Sequence, residues 1–447
     1  MKDSTNTDPQ SASMSPGTPI GGRNSKSEGR RVLGNFFSLS LVQFANYVAP
    51  LITLPYLFRV LGPSNYGVTE MARAVSVYFL ILTDYGFSLS ATREISVHRD
   101  DPQKVSEVFS AVLLLKFLLL LLSFGVLALL VSAVPRLWAD WPVYFLSFGN
   151  VIGMWLFPVW LFQGLERMKY LPLLNVTAKT LVIVSLFVFI RAPDDYLYVP
   201  LLQSAGTILV GLAGLGLALG TFRVRFRVPP VRVLAGELTN GWHLFISKMA
   251  TTFYTSGNIV ILGLLTDSTF VAYYAPGEKI ARAAADGLQQ PLSQAIFPHI
   301  GRLASQSRSA ALRFTAKTAK IAGAASLAIS VALFVAAPYV SSIFGPKFEA
   351  GVPVLRILSL LPVLICLSNI FGVQVMVNFG LQRLLTRILT VAGVWNILLA
   401  VLLAGPFKHI GVAVAALTTE IIVTTAMFFA LRRRGLNVFA RHAPNEF

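Results

Sequence analysis

The sequence has 447 residues, of which 55% are apolar and 13% charged, and its formal net charge is +17. Soluble domains carry roughly 25% charged residues, so most of this chain is unsuited to an aqueous core. The basic residues lie between apolar runs rather than on one face, which argues against nucleic-acid binding. The single cysteine, Cys366, excludes intrachain disulfides and cysteine zinc sites.

Residues 1–30 are rich in Ser, Thr, Pro, Gly and Asn and contain no apolar signal-peptide stretch, so we expect a disordered cytoplasmic tail. Runs long enough to cross a bilayer follow. The first six lie near 33–59, 67–91, 107–133, 141–163, 172–190 and 197–220. The second six lie near 238–264, 269–300, 314–337, 353–378, 384–404 and 409–431. The sequence therefore predicts an all-α polytopic membrane protein with about twelve transmembrane helices.

The distribution of Lys and Arg predicts the orientation. Outside these runs, the tail, every second loop and the C-terminal end hold 22 basic residues, whereas the opposite loops hold four. Cytoplasmic loops carry the excess of positive charge. We therefore expect a protein of the bacterial inner membrane with both termini in the cytoplasm.

A basic segment in the middle of the chain predicts a division into two lobes. It contains four arginines and the pair Pro229 and Pro230. The expected organisation is a tail at 1–30, an N-lobe of helices 1–6 at 31–220, a linker at 221–237, a C-lobe of helices 7–12 at 238–432 and a cytoplasmic C-terminal tail at 433–447. Runs 1 and 2 resemble runs 7 and 8 in layout, which predicts pseudo-symmetric lobes with a substrate path between them.

Polar residues recur at helical spacing on the first two runs of each half, and charges at membrane depth usually face a cavity or a partner. Eight are candidates for substrate binding: Asn46, Arg73, Lys248, Thr252, Asn258, Lys279, Arg282 and Gln290. Four are candidates for ion coupling: Glu70, Asp84, Asp286 and Glu420.

Structural roles compete with these functional ones. For opposite charges one turn apart, such as Glu278 and Arg282, an ion pair is as well supported as a substrate role. For Glu420 a structural hydrogen bond is favoured over proton coupling. Lys248 has no partner of that kind on its own helix, which favours a substrate role, and Lys116 is expected to snorkel to the interface.

The loops are too short for a catalytic domain, which argues against an enzyme. The five histidines are dispersed, no metal-ligand spacing occurs, and the phosphate-binding pattern G-x-x-x-x-G-K-[ST] is missing. We therefore expect a transporter that uses no cofactor and no metal.

One segment resembles a known family. Residues 158–169 read P-V-W-L-F-Q-G-L-E-R-M-K and are similar to the P-x-W-x-F-Q-G-L-E-x-M-K segment of the polysaccharide-unit (O-antigen and exopolysaccharide) flippases of the multidrug/oligosaccharidyl-lipid/polysaccharide (MOP) transporter superfamily. Weaker matches are L-G-P-S-N-Y-G at 61–67, D-Y-G-F at 84–87 and R-E-I-S at 93–96. Near the end, Asn396, Pro406, Gly411 and Glu420 fit the family pattern, whereas His409 departs from it.

The resemblance implies a V-shaped, two-lobed bundle that moves an undecaprenyl-pyrophosphate-linked oligosaccharide to the periplasmic leaflet by alternating access. Cations in a central cavity would neutralise the pyrophosphate, and amides and hydroxyls would contact the sugars. The implied partners are this lipid-linked glycan, the lipid bilayer and, as candidates, a polysaccharide polymerase and chain-length proteins, with no nucleic acid. The alternatives are a drug or cation antiporter of the same superfamily, which would need an acidic cavity, and a membrane scaffold of a polysaccharide assembly complex.

Overall fold

The computed structural model describes residues 25–439 except 169 and 223, and side chains from residue 51 onward apart from those of 169, 223, 240, 247, 250, 251 and 253–255. The chain divides into two compact units, Met1–Leu41 and Val42–Phe447. In the first unit, residues 25–41 are helical, and residues 1–24 of the tail expected at 1–30 lie outside the described residues. Everything below concerns the second unit.

Helices make up nearly all of the described chain. They are α1 (Ser25–Asp84), α2 (Phe87–Val97), α3 (Pro102–Ala133), α4 (Pro135–Ala139), α5 (Trp141–Leu156), α6 (Val159–Gly164), α7 (Tyr170–Phe189), α8 (Tyr198–Gly220), α9 (Val231–Leu265), α10 (Ser268–Gln306), α11 (Arg308–Phe344), α12 (Val352–Leu358), α13 (Leu361–Asn369) and α14 (Gln382–Arg433). Two 3₁₀ turns, Pro193–Leu197 and Pro346–Gly351, and one π-helical segment, Ile370–Val377, complete the described elements.

Two of the long helices are interrupted. α1 breaks at Gly62 (φ 75°) and α14 breaks at Lys408 (φ 50°). Each break falls between two predicted runs, so each long helix corresponds to two of them. The tenth run, predicted as one span over 353–378, is divided into α12, α13 and the π-helical segment, with Pro362 in the first turn of α13.

Eight segments of the described chain are long and apolar enough to cross a membrane, among them Pro102–Ala133 and Arg308–Phe344. α10 is not one of these eight, although its 39 residues extend about 58 Å at 1.5 Å per residue. The all-helical membrane fold is confirmed, and the exact number of twelve crossings stays a prediction.

The two halves of the second unit contact each other near both ends of the helix that runs from Gly62 to Asp84. At one end, the ring of Phe58 lies 5.7 Å from that of Phe344 and 5.2 Å from that of Phe348, within a buried apolar cluster. At the other end, the ring of Tyr85 stacks on that of Phe245 at 4.8 Å. These contacts hold α1 and the residue that follows it against α9, α11 and the 3₁₀ turn at Pro346–Gly351.

Candidate functional site

A cavity of about 630 Å³ lies between side chains of both halves. The helices α1, α5, α7, α8, α9 and α10 all contribute to its lining. Seven ionisable residues line it: Glu70, Arg73, Lys179, Glu278, Lys279, Arg282 and Asp286. Four of these are basic and three acidic, so the formal net charge of the lining is +1.

Glu70 is the centre of a three-residue cluster in this cavity, which we call the Glu70 triad. Its Oε2 accepts a hydrogen bond from Arg73 Nε at 2.9 Å, and its Oε1 accepts one from Lys279 Nζ at 2.6 Å. The Glu70 side chain is only 8% exposed, whereas those of Arg73 and Lys279 are 40% and 24% exposed. One buried carboxylate therefore orients two cations that reach the cavity.

A second ion pair lies one turn further along α10. Arg282 Nε donates to Glu278 Oε1 at 3.0 Å, which confirms the ion pair expected from their spacing. Glu278 is buried and Arg282 is partly exposed to the same cavity. The stripe on α10 thus presents its basic groups to the cavity and keeps this carboxylate behind them.

Asp84 forms a similar three-residue cluster, the Asp84 triad, near the other end of α1. Its Oδ1 accepts from Lys116 Nζ at 3.2 Å and from Ser88 Oγ at 2.5 Å, and its Oδ2 accepts from Lys248 Nζ at 3.2 Å. Lys116 is 5% exposed, so the interpretation that it snorkels to the interface is wrong: the partly buried carboxylate of Asp84 holds it inside the protein. Lys248 finds its partner on another helix.

The backbone next to Asp84 explains how the triad is positioned. α1 ends at Asp84 and α2 begins at Phe87, with Tyr85 and Gly86 both at positive φ. A Cβ on Gly86 would lie 2.7 Å from Leu244 Cβ of α9, so only glycine permits this approach. The close approach brings the Lys248 side chain of α9 within reach of Asp84.

The remaining sequence-predicted residues lie elsewhere among the described residues. Thr252 and Asn258 are buried in α9, and Asn258 Nδ2 donates to the hydroxyl of Tyr274 at 3.3 Å. Gln290 is exposed and Glu420 is buried in α14. None of these four lines the cavity described above. Asn46 lies outside the described side chains.

Sequence reasoning missed four polar residues of the apolar runs that line the cavity. They are Asn150 on α5, Asn175 on α7, and Gln203 and Thr207 on α8. Each lies in an apolar run with few other polar groups, and that isolation is the signal that could have found them. Lys179 on α7, whose role the sequence leaves undecided, lines the cavity as well.

The motif at 158–169 packs against the end of α2 rather than the cavity. Trp160, Leu161 and Phe162 are buried, and Arg99 Nη1 pairs with Glu166 Oε1 at 2.9 Å. Thr92 Oγ1 donates to the carbonyl of Trp160 at 3.3 Å. In the structure, the motif joins α6 to α2.

Solved structures of membrane transporters share this arrangement of helices. A multidrug resistance MATE family transporter of the MOP superfamily, in an inward-facing conformation, is 14% identical with a TM-score of 0.60 over 88% of this chain and 99% of its own. The lipid II flippase MurJ in an inward closed conformation is 11% identical with a TM-score of 0.64 over 88% and 87% of the two chains. At these identities the likeness concerns the fold alone.

The family model described as "Polysaccharide biosynthesis protein" matches residues 32–304, and the chain belongs to this family. A relative from Escherichia coli (strain K12), named "Putative O-antigen transporter", is 32% identical over 90% of this chain and 97% of its own length. A relative of the same name from Shigella dysenteriae is 27% identical over 89% and 99% of the two chains. The protein is thus a multi-pass transporter of the bacterial inner membrane, and not an enzyme.

Proposed function

We propose that the protein moves undecaprenyl-pyrophosphate-linked oligosaccharide units from the cytoplasmic to the periplasmic leaflet by alternating access through the central cavity. The family and its O-antigen transporter relatives support a lipid-linked glycan as the substrate class. The observation that carries the proposal is the cationic lining, in which Arg73, Lys279 and Arg282 reach one cavity at membrane depth.

The chemistry of these residues suits a pyrophosphate. Lysine binds phosphate as a point charge, and arginine binds it as a planar fork with several donors. Glu70 and Glu278 hold the cations in place when the cavity contains no anion, because charges at this depth need partners. An arriving pyrophosphate then offers the same cations a second set of oxygen acceptors.

The sign of the cavity separates this proposal from the antiporter alternative. A site for organic cations would be served by an excess of carboxylates, whereas the described lining carries four basic and three acidic groups. Outward movement of an anion is also favoured by an inside-negative potential, by about 2.3 kcal/mol per charge per 100 mV.

Transport in proteoliposomes tests the proposal directly. We expect the wild type to translocate the lipid-linked repeat unit and Lys279→Gln to lose most of this activity. Lys347→Gln, which removes an exposed lysine outside the cavity, is the matched control and should behave as wild type. A wild type that moves no lipid-linked glycan, or a Lys279→Gln variant as active as the control, would contradict the proposal.

We propose further that both termini face the cytoplasm. Cys366 is buried, and a Cys366→Ser background allows labelling of single new cysteines with a membrane-impermeant maleimide. Asp100→Cys, at a side chain that is 98% exposed, should be protected in intact cells, and Asp194→Cys, in the turn before α8, should be labelled. The reverse labelling pattern would mean that both termini face the periplasm.

Ion coupling through Glu70, Asp84, Asp286 or Glu420 is a separate proposal. Glu70 and Asp286 line the cavity, which supports a role for these two carboxylates in binding a proton or sodium ion during transport. Collapsing the proton gradient and the sodium gradient one at a time should lower transport in one of the two cases. Unchanged transport in both would exclude coupling.

A further inference from the structure

The cavity has a second polar surface, which we call the amide wall: Asn150 on α5, Asn175 on α7, and Gln203 and Thr207 on α8. All four side chains are half-buried and line the same cavity as the Glu70 triad. The wall is neutral apart from Lys179, one helical turn beyond Asn175. The cavity therefore places a charged surface, from α1 and α10, and a largely neutral polar surface, from α5, α7 and α8, around one volume.

Close helix packing fixes the amide wall. A Cβ on Gly149 would lie 2.6 Å from Ser204 Cβ, and one on Gly153 would lie 2.5 Å from the carbonyl carbon of Thr207. α5 and α8 therefore approach through glycines, as membrane helices do at their closest contacts. Thr207 Oγ1 lies 3.2 Å from Asn150 Oδ1, which accepts its hydrogen bond. The side chains of the wall are held in place before any ligand arrives.

The wall keeps unused hydrogen-bonding capacity. Asn150 donates to the carbonyl of Ser147 at 3.2 Å and accepts from Thr207, which leaves one N–H and one lone pair. Asn175 donates to the carbonyl of Leu171 at 2.9 Å and keeps its amide oxygen and second N–H. Gln203 makes no hydrogen bond to any residue that the structure describes. Both donors and acceptors are thus available to a ligand.

This combination of hydrogen-bond donors and acceptors suits sugars better than phosphate. A sugar hydroxyl both donates and accepts, as does each amide of the wall, whereas a pyrophosphate mainly accepts. A few fixed polar groups in an otherwise apolar pocket are what sets ligand orientation and selectivity.

We propose that the amide wall is the glycan-binding subsite of the transporter and that Asn150, Asn175 and Gln203 determine which repeat units are carried. This inference rests on the proposed function: the cations bind the pyrophosphate, and the amide wall binds the first sugars attached to it. Selectivity for the glycan then resides in α5, α7 and α8, and affinity for the lipid carrier resides in α1 and α10.

Two lipid substrates and two kinds of variant test this division. The substrates are the lipid-linked repeat unit extracted from the producing strain and the same lipid trimmed enzymatically to the bare pyrophosphate, so that the first sugars are removed as well. Gln203→Leu and Asn175→Leu change the amide wall with little change in volume, Lys279→Gln changes the cationic cluster, and Thr180→Val on an exposed face of α7 is the control. Each is reconstituted as the full chain, and its fold is checked by thermal unfolding in detergent.

We expect the amide variants to slow transport of the full repeat unit by about tenfold, the effect of one or two lost hydrogen bonds, while transport of the trimmed lipid changes less than twofold. Lys279→Gln should slow both substrates. If the amide variants slow both substrates equally, or neither, the subsite is wrong and the proposed function stands. If the wild type moves neither substrate, the proposed function itself fails.

Discussion

The Glu70 and Asp84 triads share the same balance of charges, one carboxylate and two basic groups, and differ in their surroundings. In each, one carboxylate of α1 holds two basic side chains, one from each half of the chain: Arg73 and Lys279 at Glu70, Lys116 and Lys248 at Asp84. Each triad has a formal charge of +1. Only the Glu70 triad lines the cavity.

The comparison shows that charge at membrane depth does not by itself indicate a substrate site. Lys116 is nearly fully buried and does not line the cavity, and its pairing with Asp84 joins α3 to α1. Lys248, on α9, is 53% exposed and adds a contact between the halves. In the Glu70 triad both cations reach the cavity. Cavity exposure, more than charge, distinguishes the cluster that we propose to bind substrate from the one that joins helices.

The largest effect is expected at the centre of the Asp84 triad. Asp84→Asn leaves Lys116 buried without an ionised partner, and breaking a buried pair in this way costs about 3–5 kcal/mol. The melting temperature in detergent should fall sharply. Asp100→Asn, at an exposed aspartate, is the control and should melt as wild type. Equal melting temperatures for the two variants would contradict a structural role for the triad.

The two lysines of that triad should differ from each other. Lys116→Met leaves Asp84 with Ser88 and Lys248 and should destabilise by about 1–3 kcal/mol, because a buried charged hydrogen bond is lost. Lys248→Met should cost about 0–1 kcal/mol, because exposed ion pairs contribute little. Chemical denaturation of the two variants measures the difference, and the opposite order would contradict the assignment.

Glu70→Gln tests how the net charge of the cavity lining affects the binding of an anionic lipid. Removing this carboxylate raises the formal charge of the described lining from +1 to +2, so an anionic lipid should bind about tenfold more tightly and leave more slowly. Binding at low and high salt measures the effect, which should shrink at high ionic strength. Weaker binding would mean that Glu70 acts mainly by orienting Arg73 and Lys279.

The smallest effect is expected at Asp267, the N-terminal cap of α10, outside the membrane. Asp267 accepts the backbone N–H of Thr269 at 2.8 Å at the start of α10, and this hydrogen bond lowers the pKa of its carboxyl below the usual value. The stabilisation is therefore present above about pH 4 and is lost as the pH falls through the lowered pKa. Asp267→Ala should lower the free energy of unfolding by about 1 kcal/mol, whereas Asp267→Asn should retain most of the stabilisation from the cap. Unfolding of these two variants at pH 7 and at low pH checks both statements.

The sequence predicted the helices well, because long apolar runs at 1.5 Å per residue have few alternatives in lipid. It also predicted the stripe on α10, since Lys279, Arg282 and Asp286 share a face at helical spacing. The sequence could not predict which charged residues form ion pairs between helices. The pairs of Glu70 with Lys279 and of Asp84 with Lys248 join residues 209 and 164 positions apart.

Isolated polar residues were the other failure. Asn150 and Gln203 form no stripe on their own helices, and they meet at one cavity only because α5 and α8 pack closely. Lys116 was misread for the same reason. Its helix is almost entirely apolar, and the carboxylate that holds it lies on α1.

The most direct test of the central claim is the affinity of the purified protein for undecaprenyl pyrophosphate compared with undecaprenol, which has the same chain and no charge. We predict that the wild type binds the pyrophosphate at least about tenfold more tightly, a difference of about 1.4 kcal/mol, and that Lys279→Gln largely removes the preference. Equal affinities for the two lipids in the wild type, or an undiminished preference in the variant, would contradict a cationic cavity that binds the pyrophosphate.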